Sequence, residues 1–314
     1  MEQDLIRLEP LLSDSVVTGD TFLDEVTTHL VRAGGKRLRP ALAVASATGG
    51  QRTASREDLL GGASVELVHL ASLYHDDVID EATVRRNVES VNSRFGNLVA
   101  IVAGDYLLAR SAAIAASLGT EVAELLALTL GKLCRGQVAE VRSAFQVTRT
   151  REEYLDAVAG KTAALMAASC RIGALTGGVP RSEVEALTEF GQCLGMVFQL
   201  RDDVMDVVAS EADLGKPPGQ DLAEGIYTLP VLTALEDPGT GPELRNLLGR
   251  RLAQPERDKA RDIVAASPGI ALTVGLGRRY VADATSATEG IASAELRAGL
   301  ARLASSLLDG LDSP

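Results

Sequence analysis

Two five-residue stretches of the chain share one form. The first is Asp76-Asp77-Val78-Ile79-Asp80 and the second is Asp202-Asp203-Val204-Met205-Asp206. Each interrupts an apolar, helix-periodic run. On a helix, residues i and i+4 lie one turn apart on the same face. Asp76 therefore projects with Asp80 and Asp202 with Asp206, while Asp77 and Asp203 sit about 100° around the axis. Like charges at this spacing destabilise an isolated helix, and placing them between apolar turns adds a desolvation cost. A chain that does this twice needs a compensating cation. Hard carboxylate oxygens suit Mg²⁺, which is commonly shared between one or two carboxylates and substrate phosphates. The six aspartates are candidate metal ligands. An exposed acidic helix face is the plain alternative, and it accounts for one such stretch more easily than for two.

Cations accompany the carboxylates. Gly34-Gly35-Lys36-Arg37-Leu38-Arg39-Pro40 packs three of them into four positions, and Arg85-Arg86 follows the first motif closely. Lys161-Thr162 lies in an Ala-rich helical run, and Lys216 lies in a polar loop after the second motif. Guanidinium forks and ammonium groups near Mg²⁺ ligands suit a diphosphate. Singly, each cation reads as a surface charge; jointly they read as diphosphate binding.

The elements that must carry these groups are helices. Apolar residues recur at i, i+3, i+4, i+7 near 22–33, 40–48, 55–80, 97–118, 120–147, 151–175, 181–208, 242–264 and 270–309. Gly34-Gly35, Gly49-Gly50 and Gly177-Gly178 punctuate the ends. Alternating strand patterns are essentially missing. The 314 residues are 46% hydrophobic and only 3% aromatic, a balance rich in good helix formers. No linker or composition shift divides them, so a single domain over 1–314 is expected. Residues 210–227 hold three glycines and two prolines, the composition of a flexible polar lid.

The net charge of −12 argues against nucleic acid as a partner. Cys134, Cys170 and Cys193 are scattered, without metal-ligand spacing, and read as small hydrophobes in a reducing compartment. The N-terminus lacks a basic segment followed by an apolar one, and no run of about 18 uninterrupted apolar residues occurs. The expectation is a cytoplasmic protein without a membrane span.

Taken in order, GGKRLRP, HDDVIDEATVRR, GDYLL at 104–108, GKTAAL at 160–165, FQLRDDVMD, and LGKPPGQDL followed by EGIYTLP resemble the trans-isoprenyl diphosphate synthases, or polyprenyl synthetases. The resemblance spans roughly residues 30 to 235. It implies an all-α fold, a bundle of about ten or more helices around a central apolar cavity. It also implies condensation of an allylic diphosphate with isopentenyl diphosphate to a linear product, with about three Mg²⁺ per active site. Lys36, Arg39, His69 and Arg86 would hold isopentenyl diphosphate, and Arg85, Lys161 and Lys216 the allylic diphosphate. Asp76 and Asp80 would ligate two ions, and Asp202 with Asp206 a third. Thr162 and Gln199 would line the path of the developing carbocation.

Two departures from the family pattern stand out. Asn87-Val88-Glu89 replaces the usual Gly-x-Pro after the paired arginines, which bears on a local turn. Ile226 stands where a second lysine is common. Small residues upstream of the first motif, Ala71 and Ser72 with Val68 one turn deeper, are where the family places bulky aromatics in short-chain enzymes. A product of C30 or longer follows, with a C15–C20 synthase, a terpene cyclase and a non-catalytic synthase subunit as alternatives. The apolar 97–118 helix suggests a homodimer, and release of a lipid product suggests transient membrane contact.

Overall fold

The computed structural model describes residues 1–210 and 218–311. It is all-helical, as expected, apart from one short hairpin. The helices are α1 (Glu2–Ser15), α2 (Thr21–Arg32), α3 (Leu38–Thr48), α4 (Arg56–Ile79), α5 (Val91–Phe95), α6 (Asn97–Ser117), α7 (Thr120–Ser143), α8 (Arg151–Val158), α9 (Ala164–Gly177) and α10 (Arg181–Val208). They continue as α11 (Gln220–Glu224), α12 (Leu229–Glu236), α13 (Gly241–Leu247), α14 (Gln254–Ala266), α15 (Gly269–Ala287) and α16 (Ala294–Ser306). A π-helical segment, Ala159–Ala163, joins α8 to α9.

The chain divides into two compact units. One comprises Met1–Leu130, Leu165–Thr188 and Gly290–Leu296; the other comprises Gly131–Ala164, Glu189–Glu289 and Arg297–Pro314. The first has a core in which Leu8 and Leu12 of α1, Leu30 of α2, Leu67, Leu70, Ala71 and Tyr74 of α4, and Ala103 and Leu107 of α6 are fully or almost fully buried. The core of the second gathers Tyr154, Met196, Leu200, Tyr227, Leu232, Leu235, Leu244 and Val264.

The start of α4 shows how the sequence sets a long helix. Ser55 accepts from the Asp58 amide while the Asp58 carboxylate accepts from the Ser55 amide, a capping box that satisfies two otherwise orphaned donors. Arg52 adds an ion pair at 2.6 Å to the buried Asp58. From that start α4 runs unbroken to the first aspartate motif, with Asp80 as its C-cap. Thr150 and Glu153 cap α8 in the same way.

Several expectations are corrected. Helix α1 was not anticipated, although Leu8, Leu12 and Val16 recur every four residues and are buried. The 120–147 run ends at Ser143, because Phe145 adopts a left-handed φ of 63°. The 242–264 run is two helices, with a Pro in the first turn of each. The 270–309 run is broken at 288–293. The hairpin pairs Val84 with Glu89 and Arg85 with Val88, so Arg86 and Asn87 form a two-residue turn. Both have positive φ, 53° and 62°, the conformation of a type I′ turn, for which Asn is well suited. Asn87 therefore makes a tight turn without the glycine usual in the family.

Helix α6 is long and apolar enough to cross a membrane by length and composition, with a mean hydropathy of 1.6 in its most apolar window. It packs on α4 through Ala100, Ala103 and Leu107, and leaves Leu98, Ile101 and Val102 exposed.

Candidate active site

In the first unit, α4 delivers the first motif at its C-terminal turn. Asp76 is half-buried and Asp80 exposed, whereas Asp77 is fully buried. The 100° offset between them has a chemical consequence. The Asp77 Oδ1 accepts from Nε of Arg85 at 2.6 Å, with Nη2 also 2.6 Å from it in the ion pair, and Oδ2 is buried without a hydrogen-bond partner. Burial raises the Asp77 pKa, against the lowering by Arg85. Asp77 thus anchors the hairpin that carries Arg85.

The cations of the same unit gather around α3 and α4. Lys36 is exposed and has no ion-pair partner among the described residues. Arg39 is half-buried, and its Nε is buried without a partner. Burial, followed by the charges of Arg39 and Arg86, holds the His69 pKa well below its usual value, so its imidazole is neutral. Arg86 donates to the carbonyls of Gly34 and, at 3.4 Å, Leu30, which closes the C-terminal end of α2. Its Nη2 lies 3.8 Å from Glu66. Gly35 is required here: its φ is 152°, and a β-carbon would lie 2.9 Å from the Arg86 guanidinium carbon. Arg37 is structural, bonded to Glu9 at 2.7 Å and to the buried Glu66 at 2.8 Å. Glu66 was missed, although a carboxylate in the apolar run GASVELVHLA was a visible signal.

The second motif belongs to the other unit and divides its three aspartates more sharply. Asp202 is exposed, with Arg201 at 3.6 Å. Asp206 is buried, and its carboxylate accepts from the Gln220 and Asp221 amides at 3.3 and 3.2 Å, at the first turn of α11. Asp203 is 1% exposed and accepts from the Tyr154 hydroxyl and, at 2.9 Å, from Gln199 Nε2. Burial pushes its pKa up to about 7, although both hydrogen bonds lower it. Both Asp203 oxygens accept from side chains, whereas Asp202 faces outward. Asp206 also ties down the 218–227 part of the expected lid, which contains α11. Residues 211–217, and with them Lys216, lie outside the described residues.

Lys161 and Thr162 sit on the π segment. There the amide of Ala164 bonds the carbonyl of Ala159, one residue farther than in an α-helix. Such bulges recur at functional sites because they re-aim side chains. Two close approaches clamp this one. A β-carbon on Gly136 would lie 2.5 Å from the Lys161 amide, and one on Gly195 would lie 2.4 Å from Ala163 Cα. Lys161 bonds Glu140, and Thr162 donates to Gln199 Oε1 at 2.8 Å. Tyr154 and Arg149, which lies 5.4 Å over the Tyr154 ring, were also missed. Neither carried a signal in the sequence.

Among the described residues, no three carboxylate, His or Cys groups cluster closely enough to hold an ion by themselves. Asp76 and Asp80 of the first unit, and Asp202 of the second, are each hard donors of the kind that share Mg²⁺ with phosphate oxygens, so each motif by itself offers donors that fit that ion. Of the chain-length residues, Val68 and Ala71 are fully buried, Ala71 within the core, and Ser72 keeps part of its surface.

Comparison with solved structures defines the class first. The fold matches a decaprenyl diphosphate synthase from Rhodobacter capsulatus with a TM-score of 0.91 and 30% identity, covering 99% of this chain and 97% of that one. The chain is 39% identical over 282 residues to the nonaprenyl diphosphate synthase of Mycobacterium tuberculosis, covering 88% of this chain and 84% of that protein. It is 36% identical over 305 residues to heptaprenyl diphosphate synthase component 2 of Geobacillus stearothermophilus, covering 97% and 95%. Residues 20–265 match the polyprenyl synthetase family model. The chain belongs to the polyprenyl synthetase family, and it is a chain-elongating prenyltransferase, as its motifs implied.

Proposed function

We propose that this enzyme adds isopentenyl diphosphate repeatedly, head to tail, to an allylic diphosphate and releases a linear trans product of C30 or longer. One observation carries the reading. The first unit groups Arg39, Arg86 and the neutral His69 closely enough for their charges to act on one another, and the Arg39 Nε is buried without a partner. A cyclase has one diphosphate to bind, whereas a condensing enzyme has two.

Lys36, Arg39, His69 and Arg86 bind isopentenyl diphosphate. Arg85, Lys161 and Lys216 orient the allylic diphosphate, with Ile226 contributing no charge. Asp76, Asp80 and Asp202 would hold Mg²⁺, about three ions in all, which neutralises the departing diphosphate when bound. The allylic C–O bond breaks, the double bond of isopentenyl diphosphate attacks the resulting cation, and a proton passes to the released diphosphate. Thr162 and Gln199 border the cation, and apolar side chains exclude water that would quench it. Exposed Leu98, Ile101 and Val102 of α6, with Leu128 of α7, form the contact face of a cytoplasmic homodimer. Product release involves brief contact with a lipid surface.

Pure protein incubated with farnesyl diphosphate, labelled isopentenyl diphosphate and Mg²⁺ tests this. A ladder of linear diphosphates reaching C30 or beyond is expected, and a hydrocarbon would indicate a cyclase. A second reading rests on the relative named as one component of a synthase. Turnover that appeared only after a second protein was added would favour it.

A further inference from the structure

Two arginines of the first unit meet at one buried carboxylate. Arg37 and Arg86 have φ of 47° and 53°, a backbone region that residues with a β-carbon rarely occupy and that persists only where the surroundings hold it. Their guanidinium groups share two acceptors. Nη1 of each donates to the Gly34 carbonyl. Glu66 Oε1 accepts from Arg37 Nη1 at 2.8 Å and lies 3.8 Å from Arg86 Nη2. Glu66 is 1% exposed, and His69 follows it by three residues on the same face of α4.

The two arginines differ in what they have left to donate. A guanidinium carries five N–H groups, and Arg37 spends all of them. Two go to Glu9 at 2.7 and 3.0 Å, one to the Val31 carbonyl at 3.0 Å, and one each to Gly34 and Glu66. Arg37 is therefore a brace, with nothing to offer a phosphate. Arg86 donates only through Nη1, to the Gly34 and Leu30 carbonyls. Its Nε and Nη2 make no hydrogen bond among the described residues. Like charges repel strongly out of water. Without Glu66, Arg37 and Arg86 would face each other across a neutral carbonyl, and Arg86, the less tied of the two, would move. Buried ion clusters are a weak source of stability, so the arrangement points to binding rather than to folding.

We propose that Glu66 is a positioning residue for isopentenyl diphosphate: its carboxylate, braced by Arg37 and Glu9, holds the Arg86 guanidinium where its free N–H groups meet the diphosphate. The inference rests on the reading above that Arg86 belongs to that site. Glu66 touches no substrate in this account, since two anions repel; it acts through Arg86. A guanidinium fixed before the ligand arrives loses less freedom on binding, which is affinity gained without a new contact.

The test is steady-state kinetics on the full chain with farnesyl diphosphate, isopentenyl diphosphate and Mg²⁺, supported by thermal melts and by calorimetric titration with isopentenyl diphosphate. Glu66→Gln keeps the shape and an acceptor for Arg37 but removes the charge. It should raise KM for isopentenyl diphosphate about tenfold, with kcat and KM for farnesyl diphosphate within about twofold of wild type. Combined with Arg86→Met, the loss should fall short of the product of the single losses, since both act through one guanidinium. Glu9 is 45% exposed, so Glu9→Gln serves if Glu66→Gln fails to fold; loosening the brace from outside should raise the same KM about two- to threefold. An unchanged KM for isopentenyl diphosphate, equal rises in both KM values, or losses that multiply in the double variant would overturn the positioning role while leaving the enzyme assignment intact. A wild type that neither binds isopentenyl diphosphate nor turns over would instead remove the functional reading, and this proposal with it. Binding without turnover lets dissociation constants carry the same comparison.

Discussion

Gly104 of α6 lies so close to His75 of α4 that a β-carbon on it would sit 2.4 Å from the imidazole Nε2. The ring also reaches the Ile101 carbonyl at 3.2 Å and Asp105 at 3.4 Å. His75 immediately precedes Asp76, so the glycine of the GDYLL stretch makes room for the ring one residue before the first motif. Gly104→Ala should push the imidazole aside and cost about 1–3 kcal/mol of stability by overpacking. Turnover should fall at least about tenfold, through a weaker response to Mg²⁺. Product assays over a Mg²⁺ series, beside thermal melts, check it, and unchanged activity would separate GDYLL from the motif.

The aspartates of the two motifs should sort by burial. Asp76→Ala and Asp202→Ala should each lower turnover by several orders of magnitude with little change in melting temperature, as expected for solvent-facing ligands. Asp77→Ala should behave differently, because it strands Arg85 beside a cavity in the core. A stability loss of about 1–3 kcal/mol is expected, at the low end because Arg85 is partly exposed. Urea unfolding of all three variants distinguishes the classes.

Lys36→Ala or Arg39→Ala should weaken isopentenyl diphosphate binding by about 1.5–3 kcal/mol, the scale of a charge-assisted hydrogen bond. Affinity for the allylic substrate should stay within about twofold. Calorimetric titration with each substrate measures the split, and equal losses would contradict the assignment of the cluster.

Stability should carry a mark of Asp58 at low pH. Burial raises its pKa, but the bonds from Arg52 and Ser55 outweigh burial and hold it below the usual 3.8. A depressed folded-state pKa contributes stability that is present above the unfolded value and is lost as pH falls through the folded value. The gap between wild type and Asp58→Asn should therefore be constant from about pH 7 to about pH 5 and shrink below about pH 4. Denaturant unfolding at several pH values measures it, and a gap that widened on acidification would contradict the pairing.

Product length should respond at Ser72. It keeps part of its surface, and its hydroxyl bonds only the His69 carbonyl of its own helix. Ala71 is fully buried in the core. Ser72→Phe should shorten the product by several isoprene units while the first condensation survives. Ala71→Phe should instead cost about 1–3 kcal/mol of stability. Mass analysis of products, with melts, separates the two.

The long elements were legible because their apolar periodicity is long. Helices α4, α6 and α10 were expected within a few residues of their observed ends, and the two motifs were placed on α4 and α10. What could not be read was which oxygen goes where. The i and i+4 spacing puts Asp202 and Asp206 on one face, yet Asp206 accepts from α11, an element hidden in a stretch that reads as loop. Tyr154 reads as one more apolar position of α8, and only the tertiary contact with Asp203 gives it a role. The hairpin was unreadable because its turn is built from Arg86 and Asn87 without glycine.

The π segment at Ala159–Ala163 acts as a phase shift in the chain. Everything N-terminal to it is rotated by about 100° against everything C-terminal to it, relative to an uninterrupted α-helix. Deleting a single residue there would leave composition and hydrophobicity almost unchanged, yet it would turn the α8 face bearing Tyr154 away from Asp203 of α10. A chimera of two related chains should therefore be joined outside this stretch. A splice within it succeeds only when both parents carry the same extra residue at the same place, and an alignment gap opened there carries mechanistic meaning.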